Sequence, residues 1–257
     1  MVDIKKLKIG FIGYGKVGKV FVSFLKRKGF KITAISDKKM KNFDNSKVAK
    51  NCDLIFVATP DKEIKNVYLE IEKYLKPNTY LGHFSGSLPA DILNWQKKKK
   101  KIHLFSLHPI QTFGNLKKAI EYLPNTYFAI EGTKKGKEIA KRIVKEISNK
   151  YFYIDKKDKP LYHLMCTTTN FLFPLFNFTF QIAKKLKIKK EAIFPLVRTT
   201  IENIFEKEIE KIATGPAVRK EKKIISLHKK SLKKIFPQYL KMYEILTKEL
   251  TKIATKE

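Results

Sequence analysis

The stretch Leu7-Lys8-Ile9-Gly10-Phe11-Ile12-Gly13-Tyr14-Gly15-Lys16-Val17-Gly18 decides the fold. A short apolar run ends in GxGxxG, and behind it Val17, Val20, Phe21, Phe24 and Leu25 recur at helical spacing, with Gly29 closing the helix. GxGxxG alone is a weak match. Between a strand and an amphipathic helix it has a mechanism. The first glycine permits the tight turn, the second lets the backbone approach a pyrophosphate, and the third lets helix and strand pack closely. Tyr14, Lys16 and Val17 share the turn, whose helix N-terminus presents free N–H groups to phosphates.

Working outward, strand patterns recur at Lys31–Ser36, Asp53–Ala58, Thr79–His83, Ile102–Leu107, Tyr127–Ile130 and Tyr151–Ile154. Helical patterns fall near Lys62–Leu75 and Gly136–Ser148, and a short basic segment separates the second and third strands. Alternating strands and helices predict an α/β Rossmann-type domain with a mostly parallel sheet over residues 1–155. From Pro160 on, only helix-period segments appear: Pro160–Leu186, Lys190–Glu208, Ile224–Lys234 and Pro237–Ala254, with a break at Thr214-Gly215-Pro216. This composition shift predicts an all-α domain over residues 156–257.

The 257 residues hold 55 Lys or Arg against 24 Asp or Glu, a formal charge of +31, yet 43% are hydrophobic, which excludes a disordered chain. The charge invites a nucleic-acid partner. Only Arg27, Arg142, Arg198 and Arg219 are arginines, however, and lysine lacks the planar fork favoured in base readout. A solvated lysine surface, with one run at Lys97–Lys101, is the preferred reading; the same field would draw in a phosphate-bearing cofactor. Cys52 and Cys166 lack CxxC spacing, which argues against a disulfide framework or cysteine zinc site and fits a reducing compartment. Val2–Lys8 is polar and Phe171–Ala183 is too short to span a bilayer, so a cytoplasmic protein without a membrane partner is expected.

In open α/β sheets ligands bind outside the carboxyl ends of strands. Thr59-Pro60-Asp61, His83-Phe84-Ser85-Gly86-Ser87 and His108-Pro109 fall there. Asp37, after the second strand, is placed to accept ribose hydroxyls, while Lys38 and Lys39 suit a 2′-phosphate; NADP is preferred and NAD remains open. His163, Thr167 and Asn170 are spaced i, i+4 and i+7 on one predicted helix and share a face. No HExxH spacing and no GxSxG elbow is present, so no metal is expected.

The order GxGxVG, TPD, HFSGS, HPxQTF, FAIEG, YHxxxTxxN, TGPxxR and a later HK closely resembles the Rossmann-like proteins whose C-terminal half is called domain of unknown function 2520. That family resembles distant relatives of pyrroline-5-carboxylate reductase and 6-phosphogluconate dehydrogenase, and is described as NADP oxidoreductase-like, coenzyme F420-dependent-like. The resemblance, from about Ile9 to Ala254, implies a helical domain of the 6-phosphogluconate dehydrogenase C-terminal type. It implies that Gly13, Gly15 and Gly18 form the pyrophosphate turn, that Lys38 stands where relatives often carry a 2′-phosphate-binding Arg, and that Asp37 stands where they often have Ser. Thr59 and Pro60 would then lie along the cofactor, with Ser85 and His108 at its nicotinamide end. His163 and Asn170 match the helix between the domains, and Thr214, Gly215, Pro216 and Arg219 match the TGPxxRGD segment, with His228 the later histidine. The Gly-Asp pair of that segment is Lys220-Glu221 here, which puts the local turn in question.

These readings lead to an NAD(P)-dependent oxidoreductase acting on a small molecule in a cleft between the domains. Catalytic candidates are His163, Asn170, Ser85 and His108; substrate-binding candidates are Thr167, Arg219 and His228. The alternative is a non-catalytic NADP-binding or redox-sensing protein on the same fold. Apolar helical surface in Phe171–Ala183 and Ile193–Phe205 predicts a homodimer.

Overall fold

The computed structural model describes residues 3–94 and 101–254, so most of the lysine run lies outside the described residues. The chain forms two compact units, Met1–Thr169 and Asn170–Glu257.

The first unit is built on a seven-stranded sheet ordered β2-β1-β3-β4-β5-β6-β7. The strands are β1 (Ile9–Ile12), β2 (Ile32–Ser36), β3 (Leu54–Val57), β4 (Tyr80–His83), β5 (His103–Pro109), β6 (Phe128–Gly132) and β7 (Tyr151–Tyr153). All neighbours are parallel except β5 and β6. Strand alternation divides the core between the two faces. Phe11 and Phe56 stack at 5.0 Å in one cluster, while Ile12, Ile55 and Val57 belong to the other. Both faces are covered, which is why β1 and β3 are apolar at every position.

Helices α1 (Lys16–Arg27), α2 (Asn45–Asn51), α3 (Asp61–Ile71), α4 (Leu116–Tyr122), α5 (Lys134–Ile147) and α6 (Lys159–Thr168) complete this unit. The basic segment expected between the second and third strands contains α2, whose N-terminus is capped by Asp44 accepting the Lys47 N–H at 3.1 Å. Because β1 is flanked by β2 on one side and β3 on the other, the strand order reverses there, opening a crevice at the carboxyl edge.

The second unit holds α7 (Leu172–Lys185), α8 (Phe194–Glu206), α9 (Ile209–Ile212), α10 (Lys222–Ile235) and α11 (Leu240–Ile253). The single helix expected over Pro160–Leu186 is broken by a 3-10 turn at Thr169–Phe171. Thr167, Thr168 and Thr169 each turn a hydroxyl back to the carbonyl three residues earlier, competing with the helical ladder. Among the described residues of this unit only Phe178, Ala183, Ala217 and Leu232 are buried hydrophobics.

Candidate active site

Gly13 and Gly18 are demanded by the protein itself. Gly13 has φ +96°, and a Cβ there would lie 2.7 Å from the Ala58 carbonyl; a Cβ on Gly18 would lie 2.5 Å from the Gly13 oxygen. Gly15 differs: a Cβ there meets nothing within 4 Å. It caps α1 without a side-chain hydrogen bond, and it opens onto a cavity of about 360 Å³. None of the described residues requires a glycine at this position, whereas a ligand approaching the helix N-terminus would.

The same cavity is lined by Asp37, Lys38, Lys39, Thr59, Pro60 and Lys62. Thr59 Oγ1, on its wall, is shielded from solvent and has no hydrogen-bond partner among the described residues, an orphan that a bound ligand would satisfy. Asp37 accepts the Tyr14 N–H at 2.6 Å and the Lys39 N–H at 3.0 Å. Chiefly through the Tyr14 bond, its carboxyl sits below the usual carboxylate range. Asp37 thus ties the end of β2 to the glycine turn. Lys38 is exposed, 3.5 Å from Glu63. Lys62, at the start of α3, was not singled out from sequence; it resembles any other surface lysine until the helix brings it to this cavity.

Further along the carboxyl edge, β4 runs into Ser85-Gly86-Ser87. Buried His83 fixes the start of this loop: its Nδ1 accepts the Ser85 N–H and its Nε2–H donates to the Pro89 carbonyl, both at 3.1 Å. Burial pushes its pKa to about 4, so the ring is neutral in that tautomer. The Ser85 hydroxyl donates to Asp61 Oδ2 at 2.6 Å and accepts the Leu88 N–H; Ser87 donates to the same carboxylate oxygen at 3.0 Å. Ser85 therefore holds the loop.

Gly86, between them, faces two histidines. A Cβ at Gly86 would lie 2.6 Å from His163 Cδ2 and 3.0 Å from His108 Nε2. The two rings stand edge-on, 6.0 Å apart. His108, at the end of β5, places Nδ1 2.6 Å from the Tyr162 hydroxyl. Burial, then His163 and Lys159, push the His108 pKa to about 4. Burial also raises the Tyr162 phenol far above its ordinary range, so it keeps its proton. The Nε2 edge of the His108 ring faces Gly86. Behind this pair, buried Lys159 donates to Ser106 Oγ at 2.6 Å and to the Ser85 carbonyl at 3.3 Å.

The structure thus gathers Ser85, His108 and His163 at one strand edge, with Gly13, Gly15, Thr59 and Pro60 further along the same edge. Gly86, Tyr162 and Lys159 belong with them and were not among the sequence candidates. Asn170 is exposed in the 3-10 turn that begins the second unit. In that unit Arg219 forms a two-pronged pair with Glu221 at 2.7 and 3.2 Å, and His228 Nδ1 lies 2.9 Å from the Tyr243 hydroxyl. Lys220, standing where the resemblance places glycine, has φ +55°. The turn survives without its glycine. No group of three or more His, Cys, Asp and Glu that could hold a metal ion occurs among the described residues.

Residues 126–250 match the model of the domain of unknown function DUF2520, and residues 3–88 match the NADPH-binding domain of acetohydroxy acid isomeroreductase. The chain has a Rossmann-like fold, and its C-terminal half is similar to DUF2520. Its first unit contains a Rossmann-like NADP-binding domain. Among solved structures it is similar to BF3122 of Bacteroides fragilis, a provisional NADP oxidoreductase, at 23% identity and TM-score 0.85 over 97% of this chain and 100% of that one. It is similar to TM1727 of Thermotoga maritima at 27% identity and TM-score 0.69 over 96% and 98%. It also resembles the Plasmodium falciparum pyrroline carboxylate reductase solved with NADP bound, at 17% identity and TM-score 0.60 over 98% and 100%. No curated protein matches the chain at a significant level. No helix among the described residues is long and apolar enough to cross a membrane.

Proposed function

We propose that the chain is an NADP-dependent oxidoreductase acting on a small-molecule carbonyl or imine at the carboxyl ends of β4 and β5. The observation that carries this reading is the convergence of His163 and His108 on Gly86, at the same sheet edge as the glycine turn. When bound, the nicotinamide supplies the hydride. Gly13, Gly15 and Gly18 with the α1 N-terminus hold the pyrophosphate, Thr59 Oγ1 gains a partner, and Lys38, Lys39 and Lys62 take the 2′-phosphate. His108 stays neutral and orients the substrate through Nε2. His163, whose ring nitrogens have no hydrogen-bond partner among the described residues, is free to move a proton. Thr167, one turn beyond His163 on α6, is a substrate contact in this reading, and Asn170 holds the substrate or the nicotinamide amide.

The test is consumption of NADPH with a panel of imines, 2-oxo acids and coenzyme F420. His163→Gln should leave NADPH affinity nearly intact and remove most turnover. A variant that loses cofactor binding, with no separate catalytic defect, would make His163 structural. Wild-type binding without turnover on any substrate would favour a redox-sensing protein.

We also propose a homodimer formed through the helical unit. Phe173, Phe194, Leu196 and Phe205 are all exposed there, and α8 buries no residue. Sedimentation at micromolar concentration should show twice the 30.0 kDa chain mass; a single-chain species would refute it.

A further inference from the structure

Helix α6 carries His163, and apart from the edge-on contact of the Tyr162 ring with Phe152 it is held to the sheet by polar groups. Its only buried side chains are Lys159 and Tyr162, while Leu161, Leu164 and Met165 are exposed. The two buried groups are polar, and each makes a directed bond into the strand ends. Tyr162 reaches His108, and Lys159 reaches Ser106 Oγ and the Ser85 carbonyl. Ser106 in turn donates to the Ser85 carbonyl at 3.1 Å. The ammonium therefore grips the peptide that links Ser85 to Gly86, the residue on which the His163 ring rests.

Lys159 and His163 are i and i+4 on α6, so they lie on one helix face a single turn apart. One end of that face is fastened to Ser85 and the other meets Gly86. We propose that Lys159 is the positioning residue of the site, its buried ammonium fixing both the Ser85–Gly86 peptide and the helix that places His163 over it. The inference deepens the oxidoreductase reading and takes its purpose from it, while its geometry stands alone.

Burying a lysine is expensive, and an apolar side chain of similar volume in its place is often neutral or stabilising. Lys159 is fully buried. Two carboxylates, Glu131 and Asp61, act on it against the desolvation that draws its pKa down to about 8. A group needed only for packing has no use for this arrangement. A group needed to hold a carbonyl and a hydroxyl at fixed points does.

The experiment is Lys159→Met, read by carbon–proton correlation spectra of the five histidine rings assigned through His→Gln variants. The expected result is a folded protein with NADPH affinity within about twofold of wild type. Its His163 Cδ2–H signal should leave the position set by the neighbouring His108 ring and move to that of a solvent-exposed histidine. An unchanged His163 signal in the folded variant overturns the proposal. Should Lys159→Met not fold, Ser106→Ala decides, because it removes one of the ammonium's two partners. A displaced His163 signal there supports the positioning role, and an unmoved one overturns it. The ring spectra need no substrate, so a failure of this inference is distinct from a failure to find turnover.

Discussion

His163 rests on Gly86 so closely that a Cβ at Gly86 would stand 2.6 Å from the His163 ring carbon Cδ2. The same Cβ would stand 3.0 Å from His108 Nε2, so a single methyl group presses on both histidines at once. Gly86→Ala should displace the rings while leaving the glycine turn untouched. Misplacement of catalytic groups by about 1 Å costs on the order of 100-fold in rate. NADPH affinity is expected to hold while turnover falls by about that factor. Wild-type turnover in Gly86→Ala would show that neither ring position matters to the chemistry.

The neutral histidines at the strand ends make the fold sensitive to acid. Both His83 and His108 are held at about 4, against 6.5 when unperturbed. Between those values the unfolded chain binds more protons than the folded one, so their contribution is fully present above about pH 6.5. It falls as the pH is lowered and reaches its floor near pH 4. For His83 alone the amount is on the order of 3 kcal/mol. Protonation at Nδ1 would also set a new N–H against the Ser85 N–H. Glu131, raised by burial, opposes this trend in the acidic range. The thermal midpoint should drop between pH 7 and pH 5, and His83→Gln, which keeps one donor and one acceptor, should flatten that slope. Equal slopes would remove His83 from the account.

If the cavity takes the 2′-phosphate as proposed, Lys62 should separate the two nicotinamide cofactors. It lines the cavity with Lys38 and Lys39, and Lys38 is partly engaged by Glu63 at 3.5 Å. Lys62→Glu should weaken NADPH binding by about tenfold, since charged contacts to phosphate are strong. NADH, which lacks the 2′-phosphate, should bind almost as before. A parallel loss for both cofactors would place Lys62 outside the 2′-phosphate site.

The glycine fingerprint and the strand-end motifs were legible because each is local: a turn, its helix and a run of apolar residues occur together in sequence. The sheet's parallel character followed from strand–helix alternation. Helix α2 was hidden because only Val48 and Ala49 supply its buried apolar surface, leaving the cap at Asp44 as its one strong signal. Lys159 was hidden for another reason. It follows Lys156 and Lys157 in a chain rich in lysine, and no local pattern distinguishes an ammonium bound for the interior from its solvated neighbours. Gly86 was legible only as part of a strand-end motif suited to close approach of a ligand, not as the meeting point of two rings, since its two histidines come from β5 and α6, more than twenty and more than seventy residues away.

The turn after Arg219 allows a test of how much the replaced glycine matters. Lys220 holds φ +55°, in the left-handed region that disfavours a side chain. Its neighbours maintain the turn: the Arg219 N–H donates to the Gly215 carbonyl at 3.1 Å, and the Glu221 N–H to Pro216 at 2.8 Å. Glu221 also pairs with the Arg219 side chain, holding the segment from outside. Left-handed backbone costs a lysine about 1–2 kcal/mol, a cost glycine does not carry. Glycine loses more backbone freedom on folding, which offsets about half of that gain. Lys220→Gly should therefore stabilise the protein by about 0.5–1 kcal/mol, raising the thermal midpoint by about 2 °C. Lys220→Val should act in the opposite direction, because a β-branched residue tolerates this φ least. If the glycine variant is less stable than the wild type, the turn is not strained by Lys220.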